Sequence, residues 1–176
     1  RSSKDDRIED YREHTGLTGF DRESLLRWHL MHHITGTPTF MYKKEAILKV
    51  GCFDDVKVSQ EWYLMFKTIM TDGIKIGYYR NSDVVAYRNP TGGISGAPYK
   101  IEWEKKLYQF KKQHFDVLNK KERRYVTFRH FAVLAAAAKR TRKFHLALYY
   151  LCRCFLTSPA DFFRELGNMA KKRNQF

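Results

Sequence analysis

Proline and glycine are scarce in this sequence, at 4 and 10 of 176 residues, which excludes collagen-like and linker compositions. Cysteine numbers three, at Cys52, Cys152 and Cys154; the odd count suggests no disulfide framework and fits a reducing cytoplasm. No apolar run reaches the roughly 18–20 residues that a membrane-spanning helix needs. The opening stretch, RSSKDDRIEDYRE, has no apolar core, so no signal peptide is read there. Asp-x-Asp occurs nowhere, since Asp5-Asp6 and Asp54-Asp55 are adjacent pairs without that spacing.

Aromatics, by contrast, are plentiful. The 11 Tyr, 13 Phe and 3 Trp exclude intrinsic disorder and supply enough apolar surface for one compact domain or slightly more. Charge is strongly one-sided, with 33 Lys+Arg against 19 Asp+Glu for a net of +14. Its placement matters more than its total. Residues 1–95 hold 14 basic and 13 acidic residues, a net of +1, whereas residues 96–176 hold 19 and 6, a net of +13. The second half should therefore seek a polyanion: nucleic acid, an acidic partner or an anionic membrane face.

Local signals give a coarse map. Asp21 caps a helix, DRESLLRWHLMHH, which Gly36 and Pro38 terminate. Thr39-Phe40-Met41-Tyr42 reads as a short strand, because Pro38 imposes an extended approach and aromatics follow. A short helix, KKEAILKV, ends at Gly51, which suits a left-handed cap. Ser59 can cap the helix QEWYLMFKTIMT, and two strands follow, KIGYY and DVVAYR. Beyond the Gly-rich loop NPTGGISGAP everything reads as helical. Helices run through EWEKKLYQFKKQHF, from the capping-box pattern Asn119-x-x-Glu122, through HLALYYLCRCFL, and from Ser158-Pro159.

The ordered series over 35–95 resembles the second half of the catalytic domain of bacterial family 2 glycosyltransferases, which have the GT-A fold. The matching pieces are Gly51-Cys52-Phe53-Asp54, then Gln60-Glu61-Trp62-Tyr63-Leu64, then Tyr87-Arg88 and Gly92-Gly93-Ile94-Ser95. The resemblance implies an α+β fold: a partial GT-A-like α/β region with a small sheet over 1–95, then a basic helical hairpin or bundle over 96–176. It implies Glu61 as the catalytic base and Gln60, Trp62, Thr37 and His33 on the acceptor side. Arg88, Gly92 and Gly93 fall near the donor phosphates, although Gly92-Gly93 also reads as a plain flexible loop.

The same resemblance implies a nucleotide-sugar donor and a glycan or lipid-linked acceptor. It also implies a Mn or Mg ion, whose Asp-x-Asp ligands lie in a donor-binding half without counterpart in this chain. A lipid-linked acceptor places such an enzyme in the cytoplasm, peripheral at the inner membrane face. An open sheet edge left by the missing half invites self-association, and hence a possible homo-oligomer.

Chemistry supplies a reason for an acid at Glu61. Inverting sugar transfer needs a base for the acceptor hydroxyl, and the first turn of a helix favours the carboxylate form. First-turn acids also occur for stability alone, worth about 0.3–1 kcal/mol. His29 and His33 lie one turn apart, but no third residue at a suitable spacing completes a zinc set. Cys152 and Cys154, two apart on a helix, diverge and form no metal site. Asp54 reads as a turn-former. The rival function is a basic helical module that binds nucleic acid or another anionic partner without catalysis, resting on Lys120-Lys121-Arg123-Arg124 and Lys139-Arg140-Arg142-Lys143. No nucleic-acid-binding motif accompanies those clusters, so nucleic acid is not the expected partner. A helical protein–protein adaptor, suggested by one tetratricopeptide-like helix pair, is the remaining alternative.

Overall fold

A computed structural model of the chain describes Leu17, residues 19–34, 39–78 and 99–174, with side chains as far as 168. The chain divides into two compact units, Arg1–Gly93 and Ile94–Phe176. Among the described residues every regular element is helical and there is no strand, so the expected α+β class with a small sheet is corrected to an all-helical one.

The first unit is built on α1 (Arg22–His32), α2 (Lys44–Lys49) and α3 (Gln60–Met70). Asp21 starts α1 by accepting a hydrogen bond from the Ser24 backbone N–H at 2.9 Å. Hydrogen bonds from Ser24 hold the Asp21 carboxyl below its usual range. Leu25, Leu26, His29 and Leu30 are buried and form the inner face of α1. That face packs on α3, whose Trp62, Leu64, Met65, Phe66, Thr68 and Ile69 are buried. Each large apolar side chain buried here contributes about 1.5–3 kcal/mol.

Helix α2 closes as its sequence predicts. Gly51 adopts φ +79°, its N–H bonds to Leu48 O at 3.1 Å, and Cys52 N–H bonds to Ile47 O at 3.0 Å. This pair of bonds satisfies two carbonyls of the last turn and needs the left-handed residue that glycine provides without a Cβ clash. The Gly51-Cys52-Phe53-Asp54 turn is then tied to α3 by Lys67, whose ammonium donates to Cys52 O at 2.7 Å and to Asp54 Oδ1 at 2.8 Å. Asp54 thus serves the turn.

Neither described strand prediction survives, for a common reason. A strand exists only through a partner, and a lone pair of strands is marginal in water. Around 39–42, side chains from α3 take the place of a ladder: Tyr42 donates to Thr68 Oγ1 at 2.8 Å, and Thr68 donates to Leu64 O at 2.8 Å. In 74–78 the alternation remains, with Ile74 and Ile76 half-buried between exposed Lys75 and Gly77, but no described backbone pairs with it. The strand expected at 83–88 lies outside the described residues.

The second unit comprises α4 (Lys100–Lys112), a 3₁₀ turn at Phe115–Val117, α5 (Lys120–Arg140), α6 (Phe144–Thr157) and α7 (Pro159–Asn174). Helices α5 and α6 form a hairpin around Leu134, Ala135, Ala138, Ala147 and Tyr150, whose alanines permit close approach. Helix α4 packs on α5, and α7 on both α5 and α6. The capping box is present: Glu122 N–H donates to Asn119 Oδ1 at 3.0 Å and Asn119 N–H donates to Glu122 Oε2 at 2.9 Å. Ser158 precedes Pro159 and donates from Oγ to Asp161 at 2.7 Å.

Candidate functional site

The site is organised by a contact between α1 and α3. His29, fully buried, places Nε2 3.0 Å from Trp62 O, while Ile34 N–H donates to its Nδ1 at 3.3 Å. An imidazole that accepts at Nδ1 must donate at Nε2, so the neutral Nε2–H tautomer fits both bonds. Trp62, also fully buried, returns a bond from its indole N–H to His29 O at 3.4 Å. The two rings stack with centroids 4.6 Å apart and planes 16° from parallel.

This latch sets the next layer outward. His33 lies one turn beyond His29 and caps α1 in the left-handed region, at φ 58° and ψ 82°. Glu61 precedes Trp62 in the first turn of α3. His33 Nε2 and Glu61 Oε1 are 3.6 Å apart, with side chains 34% and 24% exposed. The pair therefore faces solvent on one side while its backbone is fixed from below. A protonated His33 makes it an ion pair; a neutral one presents either an N–H or a lone pair to the carboxylate, according to its tautomer.

Ser59 stands at the N-cap of α3, as expected, but it does not cap with its side chain. It takes φ 61° and ψ 35°, and no side-chain cap bond forms. Its carbonyl instead accepts from Trp62 N–H at 2.9 Å and Tyr63 N–H at 3.3 Å. Non-glycine residues in this region cost on the order of 1–3 kcal/mol each, and such strain clusters at functional sites. His33, a member of the pair, is one of them, and Ser59, two residues before Glu61, is another.

Of the residues singled out from sequence, the structure brings Glu61 and His33 together. Gln60 is exposed beside them and donates from its side chain to Val56 O at 2.8 Å. Trp62 is a correction: an indole buried between His29 and Phe66 has no face for an acceptor, and it positions Glu61 instead. Thr37, Arg88, Gly92 and Gly93 lie outside the described residues. His29, which from sequence stands only in an incomplete zinc set with His33, is the buried residue that orders the α1–α3 contact. Its signal was present in the spacing Leu25-Leu26-x-x-His29-Leu30, which is one helical face.

The described residues contain no group of three or more His, Cys, Asp or Glu side chains that could hold a metal ion. The ligands that the resemblance implies for a Mn or Mg ion belong to a donor-binding half without counterpart in this chain, and what the described residues bring together here is a carboxylate beside an imidazole. Comparison with protein-family models, characterised proteins and solved structures returns no match.

Proposed function

We propose that this chain supplies the acceptor side of a glycosyltransferase that moves a sugar from a nucleotide-activated donor to a glycan or glycolipid hydroxyl. The observation that carries the reading is Glu61, in a helical first turn, 3.6 Å from His33 and open to solvent on one side. In this reading the acceptor hydroxyl approaches Glu61. Its oxygen attacks the anomeric carbon, the carbon–oxygen bond to the nucleotide diphosphate breaks, and the proton passes to the carboxylate. His33 stands 3.6 Å from Oε1 of Glu61, and the other carboxylate oxygen is the one assigned to the acceptor. Arg88, Gly92 and Gly93 are assigned near the donor diphosphate, and the ordered motif series from Gly51 to Ser95 supports the acceptor-side reading.

The test is transfer by the complete gene product with a panel of nucleotide-sugars and glycan acceptors, read as labelled product. Glu61→Gln should lower turnover by about 10²–10⁴, the usual worth of a general base. Turnover within threefold of the wild type would make Glu61 structural and end the proposal.

A further inference from the structure

Among the described residues, the second unit leaves one helix face uncovered. On α6, Ala147, Tyr150 and Cys154 point into the hairpin and are buried. Phe144, Leu148, Leu151 and Phe155 share an adjoining stripe and are 64%, 63%, 44% and 42% exposed. Leu156, at 75%, widens the apolar face. The stripe turns the corner at Ser158-Pro159, because Phe155 and Phe163 of α7 meet edge to face at 6.0 Å and Phe163 is itself 62% exposed. From Phe144 to Phe155 it runs about 16 Å along the helix. Scattered apolar residues need no explanation, but a contiguous stripe across two helices does.

Charge decides what can cover it. Residues 123–160 contain eight Lys and Arg and no Asp or Glu. Lys139, Arg140, Arg142 and Lys143, all exposed, stand at the start of α6, and α7 closes on Lys171-Lys172-Arg173 in the sequence. A second copy laid on this face would bring two uncompensated basic rims together. Nucleic acid would satisfy the cations and leave the leucines and phenylalanines in water. A surface with an apolar interior and an anionic skin satisfies both. No described helix is long and apolar enough to cross a membrane, so the contact is one that lies in the interface.

We infer that the outer face of α6, continued by Phe163, docks on an anionic lipid surface: its apolar stripe enters the headgroup–acyl boundary and the flanking cations pair with lipid phosphates. This stands apart from sugar transfer and is read without it. The experiment is flotation of the whole chain with phosphatidylcholine vesicles, with and without about one-third phosphatidylglycerol, at low and high salt. Anionic vesicles should bind at least tenfold better than zwitterionic ones at low salt, and the difference should shrink at high salt. Leu148→Glu/Leu156→Glu alters exposed positions only, and should cut binding at least tenfold with unchanged thermal unfolding. Lys139→Gln/Arg140→Gln/Lys143→Gln should weaken it about fivefold per cation.

Vesicle binding that ignores the Leu148→Glu/Leu156→Glu change would overturn the proposal, since charge alone would then be acting. So would equal recovery of unbound protein under all four conditions. A concentration-dependent dimer abolished by the same change, without vesicle binding, would assign the face to a second copy and overturn it. Duplex DNA binding that displaces the protein from anionic vesicles while the leucine variant still binds them would overturn it as well.

Discussion

The His29 imidazole donates to the Trp62 carbonyl at 3.0 Å, and the Trp62 indole N–H reaches back to the His29 carbonyl at 3.4 Å. The reciprocal bond fixes both the spacing and the rotation of α1 on α3. It thereby places His33 against Glu61. His29→Phe preserves the stacked ring while removing the bonds at both imidazole nitrogens inside a dry contact. Each buried polar group left without its partner costs about 1–3 kcal/mol, so a loss of roughly 2–4 kcal/mol is expected from urea unfolding followed by tryptophan emission. A loss under about 0.5 kcal/mol, a typical surface value, would show that the latch carries little of the unit's stability.

Strain at His33 separates its chemical role from a structural one. The residue sits at φ 58°, a conformation that asparagine tolerates. His33→Asn should therefore leave the urea midpoint unchanged or slightly raised while removing the group beside the Glu61 carboxylate. If the proposed transfer is the activity, it should fall about tenfold or more and its pH profile should shift, because the titratable neighbour of the proposed base is gone. A fall in stability with unchanged transfer would assign His33 to capping alone.

How much of this was legible in the sequence depended on whether the signal was local. The closure of α2 at Gly51, the capping box at Asn119 and Glu122, and the Ser158-Pro159 start of α7 are decided by groups within a few residues of each other. Glu61 in a first turn followed from the same kind of reasoning. The strands did not, because strand formation is settled by a partner elsewhere in the chain and not by the alternation in 74–78. Ser59 was legible as a cap position but not as a left-handed residue, since its bonds to Trp62 and Tyr63 run through its carbonyl. Trp62 falls on the acceptor side only through the resemblance, and its burial is decided by His29, 33 residues away in sequence, which no local signal carries.

The α4–α5 contact makes stability depend on pH. His130 stacks on Tyr108 at 4.0 Å with planes 8° apart. Burial, with Lys111 and Lys105 nearby, pushes its pKa from 6.5 down to about 4. Between those values the unfolded chain binds a proton that the folded one refuses, so this group's contribution is full above about 6.5 and is lost as pH falls toward 4. Burial likewise pushes the Lys111 ammonium from 10.5 down to about 8, so stability rises again across the alkaline window between them. Because the imidazole remains partly solvated, the acid-side loss is discounted to on the order of 1–2 kcal/mol. His130→Phe keeps the stacking and removes the titration. Its unfolding midpoint should decline less between pH 6.5 and 4 than that of the wild type, whereas parallel declines would assign the acid sensitivity to other groups.

Helix α5 ends in the same two-bond closure as α2, but without a glycine. Arg142 N–H bonds to Lys139 O at 3.1 Å and Lys143 N–H bonds to Ala138 O at 2.9 Å, with Arg142 at φ 58°. In that conformation a Cβ crowds the following carbonyl, at roughly 1–2 kcal/mol. Glycine removes the clash but loses about 0.5–1 kcal/mol through its freer unfolded chain. The clash outweighs that loss, so Arg142→Gly should stabilise the second unit by about 0.5–1 kcal/mol, and Arg142→Asn by less. The gain should appear as slower amide exchange in the last turn of α5 and the first of α6, where the closure joins the hairpin. The same change removes one exposed cation from the start of α6, so anionic vesicle binding should weaken about fivefold as stability rises. Those opposite movements in one variant separate the backbone role of residue 142 from its charge. If Arg142→Gly instead unfolds at lower denaturant, the guanidinium makes a contact worth more than the strain its backbone carries.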